Sequence, residues 1–326
     1  MMKYYAGVDI GGTNTKIGIL DNHFNILAEQ SIPTLSQQGA RSTFSRIWQT
    51  ILDLLAQHQL SEARLEGIGL GIPGPVVEQA IVKIAANFSW GNDFNAKQLM
   101  EEISHKNVVV ENDVRAITLG EHLFGAGQGV ANLIVVPIGT GIASGILLNG
   151  KVLSGSGGCA GEFGHIMVNE QGMKCGCGLT GCLETYTSAP GLVREAKKLL
   201  IEPATDKQKC GEFFQRFSTD LDSLQAHYIF EYAKKGDHLA LQVVDSFTKY
   251  LAYGLGVLIN IFNPELIVLA GGVAKSADFI IEKIQKFLPH YALGVSLQNL
   301  QIKPSQLLDS AGVKGAAALV IKEKAR

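Results

Sequence analysis

The sequence predicts a two-lobed α/β protein carrying a structural metal, on three observations. At 326 residues the chain exceeds the size at which a single core usually stops growing. Apolar, strand-like runs alternate with segments of helical periodicity along its length. One grammar also occurs twice: "VDIGGTNTKIGIL" at 8–20 and "VPIGTGIASGILL" at 136–148 each read as an apolar strand, a Gly/Thr turn and a second apolar strand. Such a repeat fits two similarly built lobes facing each other, although glycine turns between strands also recur by chance.

Each element follows in order. "YYAGVDI", "TKIGIL" and "ILAEQSI" form a strand meander joined by the turns "GGTN" and "DNHFN". Residues 37–58 carry helical spacing, with Phe44, Ile47, Ile51, Leu54 and Leu55 on one face. "EGIGLGI" is a strand stopped by "PGP" at 73–75; a helix near 95–105, the strand "NVVVE" and a helix beginning after Asp113 come next. The uncharged run 130–150 is long enough to cross a bilayer, but Pro137, Gly139, Gly141 and Gly145 break it into two short strands. "LNGK" then reads as a tight turn, and 154–184 as irregular. Helices are expected at 190–200, 222–235 and 238–262, then the strand "PELIVLA" ending in paired glycines, and a last helix at about 311–325.

Composition narrows the function. A formal charge of −2 offers no basic footprint, so nucleic acid is not an expected partner. "MMKYYAGVDI" lacks the charged-then-apolar pattern of a signal peptide, and no membrane segment is expected. A cytoplasmic protein is therefore predicted, in which a disulfide framework is out of place. "GLGIPG" at 69–74 fits a dinucleotide pattern formally, but Pro73 and Pro75 interrupt it and no helix opens there. There is no P-loop motif and no protein-kinase signature set.

What remains is a set of glycine turns and one cysteine cluster. Gly/Thr turns leave backbone N–H groups accessible to phosphate oxygens, and two of them could hold a polyphosphate. Asp9 beside the first turn could hold Mg²⁺ through water, and Gly271–Gly272 would let a base or ribose approach the backbone. Three of the five cysteines fall in "KCGCGLTGC": Cys175, Cys177 and Cys182, with His165 ten residues before, make a complete Cys₃His set for structural zinc. Cys159 and Cys210 lie outside it and read as packed side chains. Glu162 and Glu184 flank the cluster, where two carboxylates near an imidazole would suit a polyol, although glutamates are usually solvated. Asp113 in "VVVENDVRA" fits either a helix N-cap or a general base at a strand end, and the local sequence favours the cap.

Together these segments resemble the ROK family (repressors, uncharacterised reading frames and sugar kinases), and within it the bacterial glucokinases. The resemblance runs through "DIGGTNTK" (9–16), "GIPGPV" (71–76), "END" (111–113), "IGTGIASG" (138–145), "GEFGHI" (161–166), "CGCGLTGCLE" (175–184) and "LAGGV" (269–273). It implies an actin-like ATPase (ribonuclease H-like) fold of two α/β lobes with a cleft between them. The expected lobes are 1–113 with about 309–326, and 114–308 with the zinc-binding segment at 159–184.

The resemblance further implies ATP with Mg²⁺ held by Asp9, Gly11, Gly12, Thr13, Asn14, Lys16, Gly139, Thr140, Gly141, Gly145, Gly271 and Gly272. Sugar hydroxyls would meet Gly74, Asn87, Asn112, Asp113, Glu162, His165 and Glu184, with Asp113 as the base. His165 would put one ring nitrogen on the zinc shared with Cys175, Cys177 and Cys182 and the other on the sugar. The implied activity is phosphorylation of a hexose, glucose first, at its 6-hydroxyl, by a homodimer. An N-acetylmannosamine or N-acetylglucosamine kinase is the alternative substrate reading. A sugar sensor or repressor is disfavoured, because strand one begins near Tyr4 without room for a helix-turn-helix and Asp113 is present. Ala143 and Ser144 stand where kinases of the family often have glycines, and Arg115 where its glucokinases often have asparagine.

Overall fold

The computed structural model describes residues 3–85, 88–201 and 211–324. In chain order its elements are β1 (Tyr4–Ile10), β2 (Asn14–Asp21), β3 (Ile26–Pro33), α1 (Ala40–Gln57), β4 (Leu65–Ile72), β5 (Val76–Val77), β6 (Ile81–Ile84) and β7 (Asn92–Asn95). There follow α2 (Ala96–Ser104), β8 (Val108–Asn112), α3 (Asp113–Phe124), β9 (Leu133–Pro137), β10 (Gly145–Leu148), β11 (Lys151–Val152), α4 (Glu184–Thr187) and α5 (Ala189–Ile201). The chain closes with α6 (Glu212–Phe217), α7 (Ala226–Lys234), α8 (His238–Phe262), β12 (Leu266–Ala270), α9 (Ala277–Phe287), α10 (Gly294–Leu297), β13 (Gln301–Pro304) and α11 (Ala311–Lys324).

Two compact units are built from these: 1–131 with 145–161 and 306–326, and 132–144 with 162–305. The sequence expectation drew its line after Asp113. The difference arises because α3 packs on α11 and because β10, β11 and the loop to Gly161 stay with the first unit.

In the first unit the sheet order is β3-β2-β1-β4-β8. β1, β2 and β3 form the antiparallel meander, while β4 and β8 run parallel to β1, the ribonuclease H-like arrangement. The apolar stripe of α1 explains its place: Phe44, Ile47, Ile51, Leu54 and Leu55 are all buried against one face of this sheet. The other face receives Val313, Ala317 and Val320 of α11 beside Leu119 of α3. That approach is close enough that a Cβ at Gly69 would lie 1.8 Å from the Ala316 carbonyl oxygen, so glycine is required there. A small antiparallel sheet of β5, β6 and β7 completes the unit.

In the second unit β12 pairs in parallel with β9 and β13. Its core is helical, with Val243, Val244, Phe247, Leu251, Leu255 and Ile259 of α8 buried. Although α8 is 25 residues long, no helix among the described residues is long and apolar enough to cross a membrane. The expected helix at 222–235 is shorter, running Ala226–Lys234. The turn "LNGK" forms as expected, with Asn149 and Gly150 both at positive φ (49° and 72°) joining β10 to β11.

Candidate active site

The first unit gathers its candidate residues at the carboxyl end of β1. Asp9 lies opposite Lys16 across the β1–β2 ladder, and the turn between them is closed by a 2.9 Å bond from Gly11 N–H to the Asn14 carbonyl. Thr34 holds that turn from the β3 side, donating through Oγ1 to the Gly11 carbonyl and through its backbone N–H to the Thr13 carbonyl. Gly12, Thr13 and Asn14 are exposed, and the space where a Cβ at Gly12 would sit is open. Lys16 Nζ donates to the Asp309 carbonyl at 3.0 Å and pairs with Glu29 at 3.6 Å, which ties the turn to the segment before α11.

Asp9 is the electrostatic centre of this unit. Burial and then the charge of Asp113 push its carboxyl up from 3.8 to about 7, with Lys16 pulling the other way. Its Oδ2 lies 2.3 Å from where a Cβ at Gly312 would stand, in the first turn of α11. A desolvated carboxylate beside a second carboxylate attracts a cation, which relieves both causes of the rise. The donor chemistry therefore fits Mg²⁺ at Asp9.

The strand end of β8 sets Asp113. Asn112, not Asp113, is the N-cap of α3: its Oδ1 accepts from Arg115 N–H at 3.1 Å. This corrects the local reading of Asp113 as the cap. Asp113 Oδ1 accepts from its neighbours Val114 N–H and Asn112 Nδ2, each at 2.9 Å. Asn112 Nδ2 also donates to the Gly74 carbonyl at 3.1 Å, so the END segment and the Gly74 turn are stitched together. Asn87, the other expected sugar ligand from this half, lies outside the described residues.

Two glycine turns meet in the second unit. A Cβ at Gly271 (φ 77°) would come within 2.5 Å of the Ile138 carbonyl, and the Val273 N–H donates to that same oxygen. Gly139, Thr140 and Gly141 form the adjoining turn; Gly139 N–H reaches the Gly141 carbonyl at 2.9 Å, and Thr140 is exposed. Gly272 faces open space. At Gly145, which belongs to the first unit, Thr118 Oγ1 fills the position a Cβ would take. Its glycine therefore serves packing on α3.

The cysteine segment folds as a hook onto the second unit. Gly181 (φ 70°) and the bonds Cys175 N–H to Leu179 O and Gly178 N–H to Cys175 O turn the chain tightly. His165, Cys175, Cys177 and Cys182 bring their ligand atoms within 4.8 Å of one another. Cys177 and Cys182 sulfurs lie 3.7 Å apart, and Cys175 sulfur lies 3.8 Å from His165 Nδ1. Zn–S bonds of about 2.3 Å at tetrahedral angles would separate two sulfurs by about 3.8 Å, whereas a disulfide needs about 2.05 Å.

Burial pushes the Cys182 thiol up to about 12 and Cys175 upward too, so without a cation these thiols keep their protons. The residues fit zinc. Cys159 is exposed, not packed as expected, and Cys210 lies outside the described residues.

Around the hook the two glutamates differ. His165 turns Nε2 toward Glu162 Oε2 at 3.8 Å, and that glutamate is exposed. Glu184 is half-buried: Oε2 accepts from Ile142 N–H at 3.2 Å and Oε1 receives Cys175 Sγ at 3.7 Å. It thus joins the hook to the Gly139–Gly141 turn, a role its sequence position did not reveal.

Other participants were missed as well. Gly312 is about 300 residues from the Asp9 it faces, and nothing local marks it. Thr34, buried and bonded to Thr15 at 2.9 Å, lies just past β3 with no local motif to mark it. Arg115, read as a departure near the presumed base, is 2% exposed and fully engaged.

The geometry agrees with comparisons to known proteins. The profile of the ROK family matches residues 5–323. A glucokinase from Halalkalibacterium halodurans is 36% identical over 327 aligned positions, covering 99% of this chain and 96% of the relative. Among solved structures, a ROK family glucokinase from Streptomyces griseus in complex with glucose and AMPPNP matches with TM-score 0.81 and 31% identity, over 98% of this chain and 99% of that one. A ROK family transcriptional regulator, homologous to the Escherichia coli MLC protein, matches with TM-score 0.84 and 27% identity, over 98% of this chain and 78% of its own. The backbone is thus shared by catalysts and regulators, and the side chains must separate them.

Proposed function

This chain belongs to the ROK family, and from that membership we propose that it transfers the γ-phosphoryl group of ATP to the 6-hydroxyl of glucose. One observation carries the reading: Asp113 is the first residue of α3, directly after β8, and that helix is capped by the residue before it. A carboxylate relieved of capping duty and next to a second carboxylate is suited to receive a hydroxyl proton.

In the proposed reaction the 6-hydroxyl donates its hydrogen bond to the Asp113 carboxylate and passes it the proton as the oxygen attacks γ-phosphorus in line. An aspartate suffices, because a loose phosphoryl-transfer transition state needs little early deprotonation. Asn112 restrains the base through its 2.9 Å bond and anchors the Gly74 turn beside it. Alignment of the two reactants is therefore a large share of the acceleration. The N–H groups of the turns at 11–14 and 139–141 are the proposed donors to phosphate oxygens, with Gly271–Gly272 facing the nucleoside.

Mg²⁺ at Asp9 would neutralise charge on the phosphates. Zinc in the hook would be closed by four protein ligands, leaving it an architectural part that fixes the His165 ring. Glu162, Glu184 and His165 Nε2 are the proposed partners of the other sugar hydroxyls.

An ADP-coupled assay across glucose, mannose, fructose, N-acetylglucosamine and N-acetylmannosamine tests the proposal. Glucose is expected to give the highest kcat/KM. An acetylated hexosamine in first place would move the substrate, and no ADP release with any sugar would remove the activity.

A further inference from the structure

Arg115 occupies a poor place for a cation. It lies in the first turn of α3, where the helix dipole favours negative charge, and its side chain is 2% exposed. Every outer face of its guanidinium is nevertheless used. Nε and Nη2 reach Glu111 Oε1 at 2.7 Å, Nη1 donates to the Gly158 carbonyl at 2.9 Å, and Nη2 to the Val76 carbonyl at 3.0 Å. Glu111 Oε1 also accepts from Asn112 N–H at 2.8 Å.

Three segments converge on this one side chain. The first is the end of β8, which carries Asn112 and Asp113. The second is the turn of Gly74 to Val76, already held by Asn112 Nδ2. The third is the glycine-rich strap 153–161, whose Gly158 (φ 71°) lies so flush on Val76 that a Cβ there would stand 2.5 Å from the Val76 carbonyl. The strap "LSGSGGCAG" holds one large apolar side chain; Leu153 N–H donates to the Ile146 carbonyl at 2.8 Å and Ala160 N–H to the Ser154 carbonyl at 3.1 Å, and Arg115 adds the bond from the strap to the β8–α3 junction. A planar fork with fixed donor directions can bridge a carboxylate and two carbonyls at once, which a lysine cannot. Buried ion pairs stabilise weakly compared with apolar packing of the same volume, so geometry is the better account of this one.

We propose that Arg115 is a positioning residue of the sugar site: it clamps the strap 153–161 and the Gly74–Val76 turn onto the β8–α3 junction, so that the walls beside Asn112 and Asp113 are set before the sugar arrives. The inference rests on the sugar-kinase reading and deepens it. Without the clamp, the incoming sugar must order the strap itself, and part of its binding free energy goes into that step.

The test compares wild type with Arg115→Asn and Arg115→Lys by steady-state kinetics and by hydrogen exchange of the 153–161 amides. For Arg115→Asn the sugar kcat/KM is expected to fall by about 10- to 100-fold, mostly through KM, with the KM for MgATP within about 2-fold of wild type. Strap amides are expected to exchange at least about 10-fold faster, and saturating glucose to restore their protection. Arg115→Lys, which keeps the charge and loses the fork, should fall between; if the asparagine variant fails to fold, the lysine variant decides by the same criteria.

A lowered melting temperature with wild-type sugar KM and wild-type strap exchange overturns the inference and leaves Arg115 a stability residue. A wild-type protein that phosphorylates no sugar instead removes the functional reading, while the exchange data still report whether Arg115 holds the strap.

Discussion

Replacing Asp9 by asparagine should change how stability depends on pH, in a direction fixed by the site. In the folded chain the Asp9 carboxyl titrates near 7, against 3.8 for an ordinary aspartate. Folding therefore favours its protonated form. The contribution is fully present below about pH 4, fades as pH rises through 7, and is absent above about pH 8. At about 1.4 kcal/mol per pH unit, the metal-free protein should lose about 4 kcal/mol of stability across that range from this group alone.

Urea denaturation in EDTA, from about pH 5 to about pH 8.5, reads most of that loss, and Asp9→Asn should lack it because its amide does not titrate. Millimolar Mg²⁺ should recover stability at the alkaline end in wild type and not in the variant. Asp113→Asn should lower the Asp9 midpoint, since the charge of Asp113 is the second cause of its rise. Parallel pH profiles for wild type and Asp9→Asn would refute the reasoning.

Asp113→Asn should also leave glucose binding measurable by calorimetry while kcat falls by about 10²- to 10⁴-fold. Cys182→Ser should abolish stoichiometric zinc by elemental analysis and make the hook at 166–183 open to proteolysis, whereas purified wild type should retain one tetrahedral zinc per chain, visible by X-ray absorption. Gly312→Ala places a methyl 2.3 Å from Asp9 Oδ2; it should cost about 1–3 kcal/mol in denaturant titration and raise the KM for MgATP, since α11 or Asp9 must shift.

The legible parts of this protein were those with a local period or a rare residue. The stripe Phe44, Ile47, Ile51, Leu54, Leu55 repeats with the helix and was read to within a few residues of α1. The hook could be read because cysteine is scarce, at five residues in the chain, and its spacing admits few alternatives. Adjacent Asn112 and Asp113 are both good caps, so the sequence could not say which would serve; backbone geometry chose the asparagine. One reason for glycine at 145 could not be read locally, because the Thr118 Oγ1 that fills its Cβ position is brought there only by the fold. Arg115 looked like a departure because its partners Val76 and Gly158 are 39 and 43 residues away in opposite directions. Long-range satisfaction of a charge leaves no trace in a local window.

The placement of α11 has a consequence for biosynthesis. β1 and Asp9 leave the ribosome long before the helix that covers their sheet and faces the Asp9 carboxylate, which begins only at Ala311. At about 5–20 residues per second, about 15–60 seconds of translation separate the two. During that interval the nascent amino-terminal sheet exposes the face that Val313, Ala317 and Val320 later cover. The sheet that carries Asp9 is therefore closed only once α11 has been made, and a chain stalled before Ala311 leaves that face uncovered.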